Sequence, residues 1–196
     1  MKRKGWLLVL GGIVVLIIIY LATTYNSLVS KEENVKRYWG DLHTTYQRRN
    51  DLIPSLVAVV KASSTYEKTV LEQVATARAK ASQLSIAADV NYQNFQQLEA
   101  LQGELASSVN RAIAVVENYP DLKGTKNFLR LQSQLEGTER RIKLARKDFN
   151  QAVAEYNNAA RRFPTNIAAA LFGFSVKEGF TADAGASQAP EINFKQ

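Results

Sequence analysis

Cysteine is absent from this chain of 196 residues, and histidine occurs only once. The first absence excludes disulfides and thiolate metal sites. The second removes the usual bases and metal ligands, and no HExxH or CxxC spacing occurs. Proline is scarce, with four residues, and a Gly-rich phosphate loop is missing. Segments rich in alternating Val and Ile, which would suggest a sheet, are missing too. Acidic side chains are outnumbered, 18 against 25 Lys and Arg, for a formal charge of +7. Such an excess suits the neighbourhood of anionic lipid, and more weakly nucleic acid. The length leaves room for an anchor and one domain of about 150 residues.

What is present begins with Lys2, Arg3 and Lys4, a basic flank over residues 1–4. An uncharged stretch follows from Gly5 to Ala22, and the next charge is Lys31. With its polar flank it is long enough to cross a hydrocarbon layer of roughly 30 Å as a helix. Trp6, Tyr20 and Tyr25 stand near its ends, where amphipathic rings favour headgroups. The alternative is a cleaved signal peptide. We read residues 5–25 as a retained transmembrane anchor, because a helical pattern resumes at once behind a long apolar run. The basic flank predicts a cytoplasmic N-terminus and a domain on the outer side of the inner membrane. The pair Gly11-Gly12 could admit a second span or simply be tolerated in a lone one.

Residues 26–163 read as an antiparallel four-helix bundle with long first and last helices, making the fold all-α. The clearest stripe is Phe128, Leu131, Leu135, Thr138, Ile142, Ala145, Phe149, Ala152, Tyr156, Ala159 and Phe163, at steps of three and four. Leu28, Val35, Trp39, Leu42, Tyr46, Arg49, Ile53, Leu56 and Val60 form a looser one in helix 1. Pro54 should kink that helix, or mark a restart capped by Asn50 or Asp51. Ser64 to Glu67 matches a capping box, and the next stripe is Val70, Val74, Ala77, Ala81 and Leu84. After a break at Asp89 to Asn91, helix 3 carries Phe95, Leu98, Leu101, Leu105, Val109, Ala112 and Val116. Thr125 can cap helix 4. Residues 164–180 form a bundle-end or membrane-proximal segment, and 181–196 a flexible tail.

Two polar features stand out against these stripes. Opposed long helices bring Arg49 near Thr138 and Glu139, so these three residues could make a buried polar layer, with Glu139 the partner of Arg49. The other reading lets Arg49 extend its head to solvent. Where helix 4 returns to the anchor, Arg161, Arg162 and Phe163 precede Leu171, Phe172 and Phe174. Asn166 can cap a short helix there. Basic and aromatic residues together suit a membrane surface, although the same apolar residues could plug the bundle end. The basic run of helix 4, from Arg130 to Lys147, reads as a solvated face paired with Glu136 and Glu139. His43 reads as a surface residue, and Ser63 and Ser64 as caps.

Several stretches together resemble the LemA family of bacterial membrane-anchored proteins. They are Tyr46-Gln-Arg-Arg-Asn-Asp-Leu-Ile-Pro-Ser-Leu-Val57, Val74-Ala-Thr-Ala-Arg78, Glu117-Asn-Tyr-Pro-Asp-Leu-Lys123 and Asn127-Phe-Leu-Arg-Leu-Gln132. Leu135-Glu-Gly-Thr-Glu-Arg-Arg-Ile142, Tyr156-Asn-Asn and Arg162-Phe-Pro-Thr-Asn166 continue the likeness, which fades at about Phe174. The family usually carries a His-containing stretch after helix 1. Here it is Ala62-Ser-Ser-Thr-Tyr-Glu67, so a role resting on that His is absent. The resemblance implies a single span, a helical bundle and a scaffold or adaptor rather than a catalyst. Membrane lipid through residues 5–25 and a membrane-protein partner or second copy are the expected partners; no cofactor, metal, catalytic residue or nucleic acid is expected. The alternative is a hydrolase or transferase with a carboxylate site between helices.

Overall fold

The computed structural model describes residues 2–61, 68–83, 92–119 and 123–180, and all regular structure among them is helical. The helices are α1 (Lys2–Lys61), α2 (Lys68–Gln83), α3 (Tyr92–Glu117), α4 (Lys126–Arg161) and α5 (Thr165–Phe172). The sequence features at Ser64 to Glu67, Leu84, Asp89 to Asn91 and 181–196 lie outside the described residues.

At 1.5 Å per residue the 60 residues of α1 run about 90 Å without a break. Every side chain from Gly5 to Tyr20 is exposed. The helix that carries this segment is long and apolar enough to cross a membrane. Burial starts at Thr24 and continues through all nine residues of the helix 1 stripe, Leu28 to Val60. One helix therefore changes surroundings midway.

Pro54 neither ends α1 nor forces a restart at Asn50 or Asp51. Proline has no N–H for the carbonyl four residues back, which is the reason for expecting a break. Here Arg78 of α2 supplies the missing donor: its Nε donates to the Asn50 carbonyl at 3.0 Å. Tertiary contact compensates the local defect.

The two long helices run in opposite directions. Leu28 shares a cluster with Ala160, the Trp39 and Phe149 rings meet at a tilt with centroids 5.3 Å apart, and Arg49 bonds Glu139. Each step forward along α1 is thus matched by an equal step back along α4. Toward the far end, Ile53, Leu56 and Val60 join Val74 and Ala77 of α2, Leu105 and Val109 of α3, and Phe128 to Leu135 of α4. Nearer the exposed apolar segment the core narrows to α1, α4 and Leu98 of α3, with Phe174 and Phe180 packed on it.

Thr125 caps α4, its hydroxyl accepting from the Phe128 N–H at 3.3 Å. The stripe then holds to Ala160, where two differences appear. Ala160 is buried where Ala159 is half-buried, and Phe163 is 76 % exposed instead of closing the stripe. The helix has ended by then, since Arg162 is extended at φ −73° and ψ 136° and turns the chain outward. Pro164, not Asn166, precedes α5. Gly173 closes α5 at φ 76°, a left-handed position that costs glycine little. In α2, Leu71 is buried where Val70 is only partly so.

Candidate functional site

The heptad spacing of α1 aims Arg49 into the interior, where it is 2 % exposed. A buried guanidinium needs charge-assisted partners to offset lost hydration. Two helices provide them. Arg49 Nη1 donates to Glu139 Oε1 of α4 at 2.9 Å, and Nη2 donates to the Gln102 carbonyl of α3 at 3.0 Å. Nη2 also bonds the Gln102 side-chain oxygen. Glu139 remains 38 % exposed, so one end of the pair meets water. Thr138 does not join in: it is buried, and its hydroxyl donates to the Gln134 carbonyl of its own helix.

One turn back along α1, Arg146 Nε donates to the Tyr46 hydroxyl at 2.9 Å. Its Nη1 stands 3.9 Å from Glu99 of α3. Burial pushes the Tyr46 hydroxyl pKa up from 10.0, and the Arg146 charge and hydrogen bond work against that rise. A hollow of about 380 Å³ opens beside these groups, between Gly103 and Ser107 of α3 and Glu139 and Lys143 of α4. Glu139 and Arg146 thus turn toward other helices, so the basic run of α4 is not simply a self-paired face.

Gln102 is buried at 2 % where the sequence pattern favoured Leu101, which is half-buried. A signal existed: Gln102 stands four residues after Leu98 and three before Leu105. A polar residue on an apolar stripe is easily read as its edge.

The segment after α5 is bonded to α4 along its length, which no periodicity in the sequence signals. Asn157 accepts from the Lys177 N–H at 2.8 Å and donates to the Lys177 carbonyl at 2.7 Å. Asn150 does the same for Phe180, at 2.7 and 2.9 Å. The spacing explains the match: seven helical residues rise about 10.5 Å, and three extended residues cover about 10 Å. Tyr156 adds a bond from its hydroxyl to the Ser175 carbonyl at 2.9 Å. Lys177 reaches across to Glu32 of α1 at 2.7 Å, and this pair is largely shielded. Residues 174–180 therefore strap α1 to α4.

Next to the exposed apolar segment, Ala168 and Ala169 of α5 are buried. Phe172 meets Tyr25 edge-on at 5.1 Å, and Phe174 meets the same ring at 5.6 Å. Tyr20 lies 3.5 Å from the Thr165 hydroxyl. Phe163, Ile167, Leu171 and Phe172 stay exposed, as do Arg161 and Arg162. The bundle end is closed mainly by the small residues of α5 and by Phe174.

His43 is exposed, and among the described residues no group of three or more His, Cys, Asp or Glu is placed to hold a metal. The model of the LemA family matches residues 38–194. The chain is 23 % identical over 185 residues to Magnetosome protein MamQ 2 of Paramagnetospirillum magneticum, covering 85 % of this chain and 68 % of that protein; the MamQ 1 protein of the same organism gives the same values. Magnetosome protein MamQ of Magnetospirillum gryphiswaldense is 22 % identical over 178 residues, covering 82 % of this chain and 65 % of that relative.

Proposed function

The chain belongs to the LemA family, and on that premise we propose that it is a membrane-anchored scaffold or adaptor of the bacterial envelope. One observation carries the reading: α1 passes from a wholly exposed apolar stretch into the buried core as a single helix. A domain built around the continuation of its own anchor cannot swing freely on a linker. It is held at a fixed pose, reaching about 54 Å from Tyr25 to Lys61. Fixed presentation is useful to a protein whose surface receives others. The relatives named for magnetosomes agree with work at a membrane.

In this reading residues 5–25 span the inner membrane once, with the N-terminus cytoplasmic, and residues 26–163 form an antiparallel four-helix bundle with coiled-coil-like packing. The Arg49 layer serves register, because a charged group whose two terminal nitrogens are held by α3 and α4 together penalises any slip of either helix. The partner is a membrane protein or a second copy. Purification of the full chain from native membranes after mild crosslinking tests this. Recovery of a defined complex supports the scaffold. A lone monomer holding a stoichiometric metal ion, or turning over a substrate, overturns it. Single replacement Ser107→Cys, in a chain free of other thiols, reports the orientation: an impermeant thiol reagent should label it in spheroplasts without lysis.

A further inference from the structure

We propose that the corner between α4 and α5 is a seat for anionic phospholipid, a second membrane contact beside the span; this rests on reading α1 as the anchor. The depth of the corner follows from its neighbours on α1. Thr165 is level with Tyr20 and Phe172 with Tyr25. Five residues of helix separate these levels by about 7.5 Å. If the span ends near Tyr25, the corner reaches below that level by the distance at which interfacial helices lie.

The surface matches that depth. Phe163 is 76 % exposed, Ile167 61 % and Leu171 68 %, apolar side chains left uncovered as those of the span are. In water such a group would be costly to leave uncovered. Behind it is a different surface. A hollow of about 320 Å³ lies between α1 and this corner, lined by Thr23, Thr24, Ser27 and Leu28 on one side and by Ala159, Arg162 and Thr165 on the other. It lies at the level where headgroups stand. The Thr23 hydroxyl donates to carbonyls of its own helix, and that of Thr165 faces Tyr20. Arg162 with the Thr24 and Ser27 hydroxyls is therefore the set that suits a phosphate ester, and Arg161, the preceding residue, adds charge. Acyl chains would then cover Phe163, Ile167 and Leu171, while the phosphate meets Arg162.

The test uses the full chain in nanodiscs of neutral lipid, with and without anionic phospholipid, and a third sample of neutral lipid with free inorganic phosphate. Spin labels at single replacements Leu171→Cys, Leu16→Cys and Ser107→Cys report contact with oxygen against a water-soluble relaxant. The label at 171 should resemble that at 16, and anionic lipid should be retained through purification. Arg162→Gln should weaken that retention roughly fivefold, and Arg162→Lys should largely restore it. Free phosphate should not displace the lipid. A label at 171 as water-accessible as that at 107 overturns the seat, as does retention indifferent to Arg162. A label at 16 found in water would instead defeat the anchor itself.

Discussion

Arg78 donates its Nε hydrogen to the Asn50 carbonyl, which Pro54 has no amide to serve. A side chain on α2 thus completes the backbone of α1 and lets the helix run on to Lys61. The contact joins two of the stretches by which the chain resembles its family, 46–57 and 74–78.

This substitution of donors predicts a specific dependence. Arg78→Met should destabilise the chain by about 1–3 kcal/mol, since it leaves a partly buried carbonyl unpaired. In a Pro54→Ala background residue 54 has its own amide, and the same change should cost well under about 1 kcal/mol. Urea unfolding of the four proteins measures both values. Equal costs in the two backgrounds would mean that the guanidinium is not serving the proline gap.

Arg49 and Glu139 should be coupled. Glu139→Gln keeps an acceptor but removes the negative charge opposite the buried guanidinium, whereas Arg49→Met removes the charge that needs a partner. A double-mutant cycle should return an interaction of about 0.5–3 kcal/mol, at the lower end because Glu139 is partly exposed. Strict additivity would show that the two side chains meet without depending on each other.

The Asn150 clamp constrains Gly179. A Cβ there would come 2.7 Å from Asn150 Oδ1, the atom that accepts from Phe180. Gly179→Ala should push the amide aside and speed hydrogen exchange at Phe180. It should cost about 1 kcal/mol, as should Asn150→Ala, with the double variant little worse than either. Exchange at Phe180 unchanged in Gly179→Ala would show that the clamp does not hold the strap.

Alkaline pH should loosen the middle of the bundle. Burial raises the Tyr46 pKa above 10.0, so the folded chain favours the neutral phenol more than the unfolded chain does. That contribution is complete below pH 10 and is lost as pH rises through the raised value. Unfolding midpoints across this range should fall more steeply for the parent than for Tyr46→Phe, and tyrosinate absorbance would follow the titration. Parallel curves would place the sensitivity elsewhere, with Tyr156, whose pKa burial also raises, the next group to replace.

Side-chain periodicity alone determined much of this protein. A helix repeats every 3.6 residues, so the stripes from Leu28 to Val60 and from Phe128 to Tyr156 declare which faces are buried, and a long uncharged run declares a stretch apolar enough to cross a membrane. Opposed long helices even brought Arg49 to the level of Glu139. Periodicity says nothing about contacts made by backbone atoms or by residues between stripes. Asn150 and Asn157 pair with main-chain groups some 20 to 30 residues ahead, and no residue type at 177 or 180 announces it. Gln102 enters the core because Arg49 draws it in, and Pro54 is tolerated because Arg78 arrives from another helix. Phe163 continues the stripe by number but leaves it in space, since the helix ends two residues earlier. Those outcomes depend on which groups meet after the helices pack, and only the tertiary structure decides that.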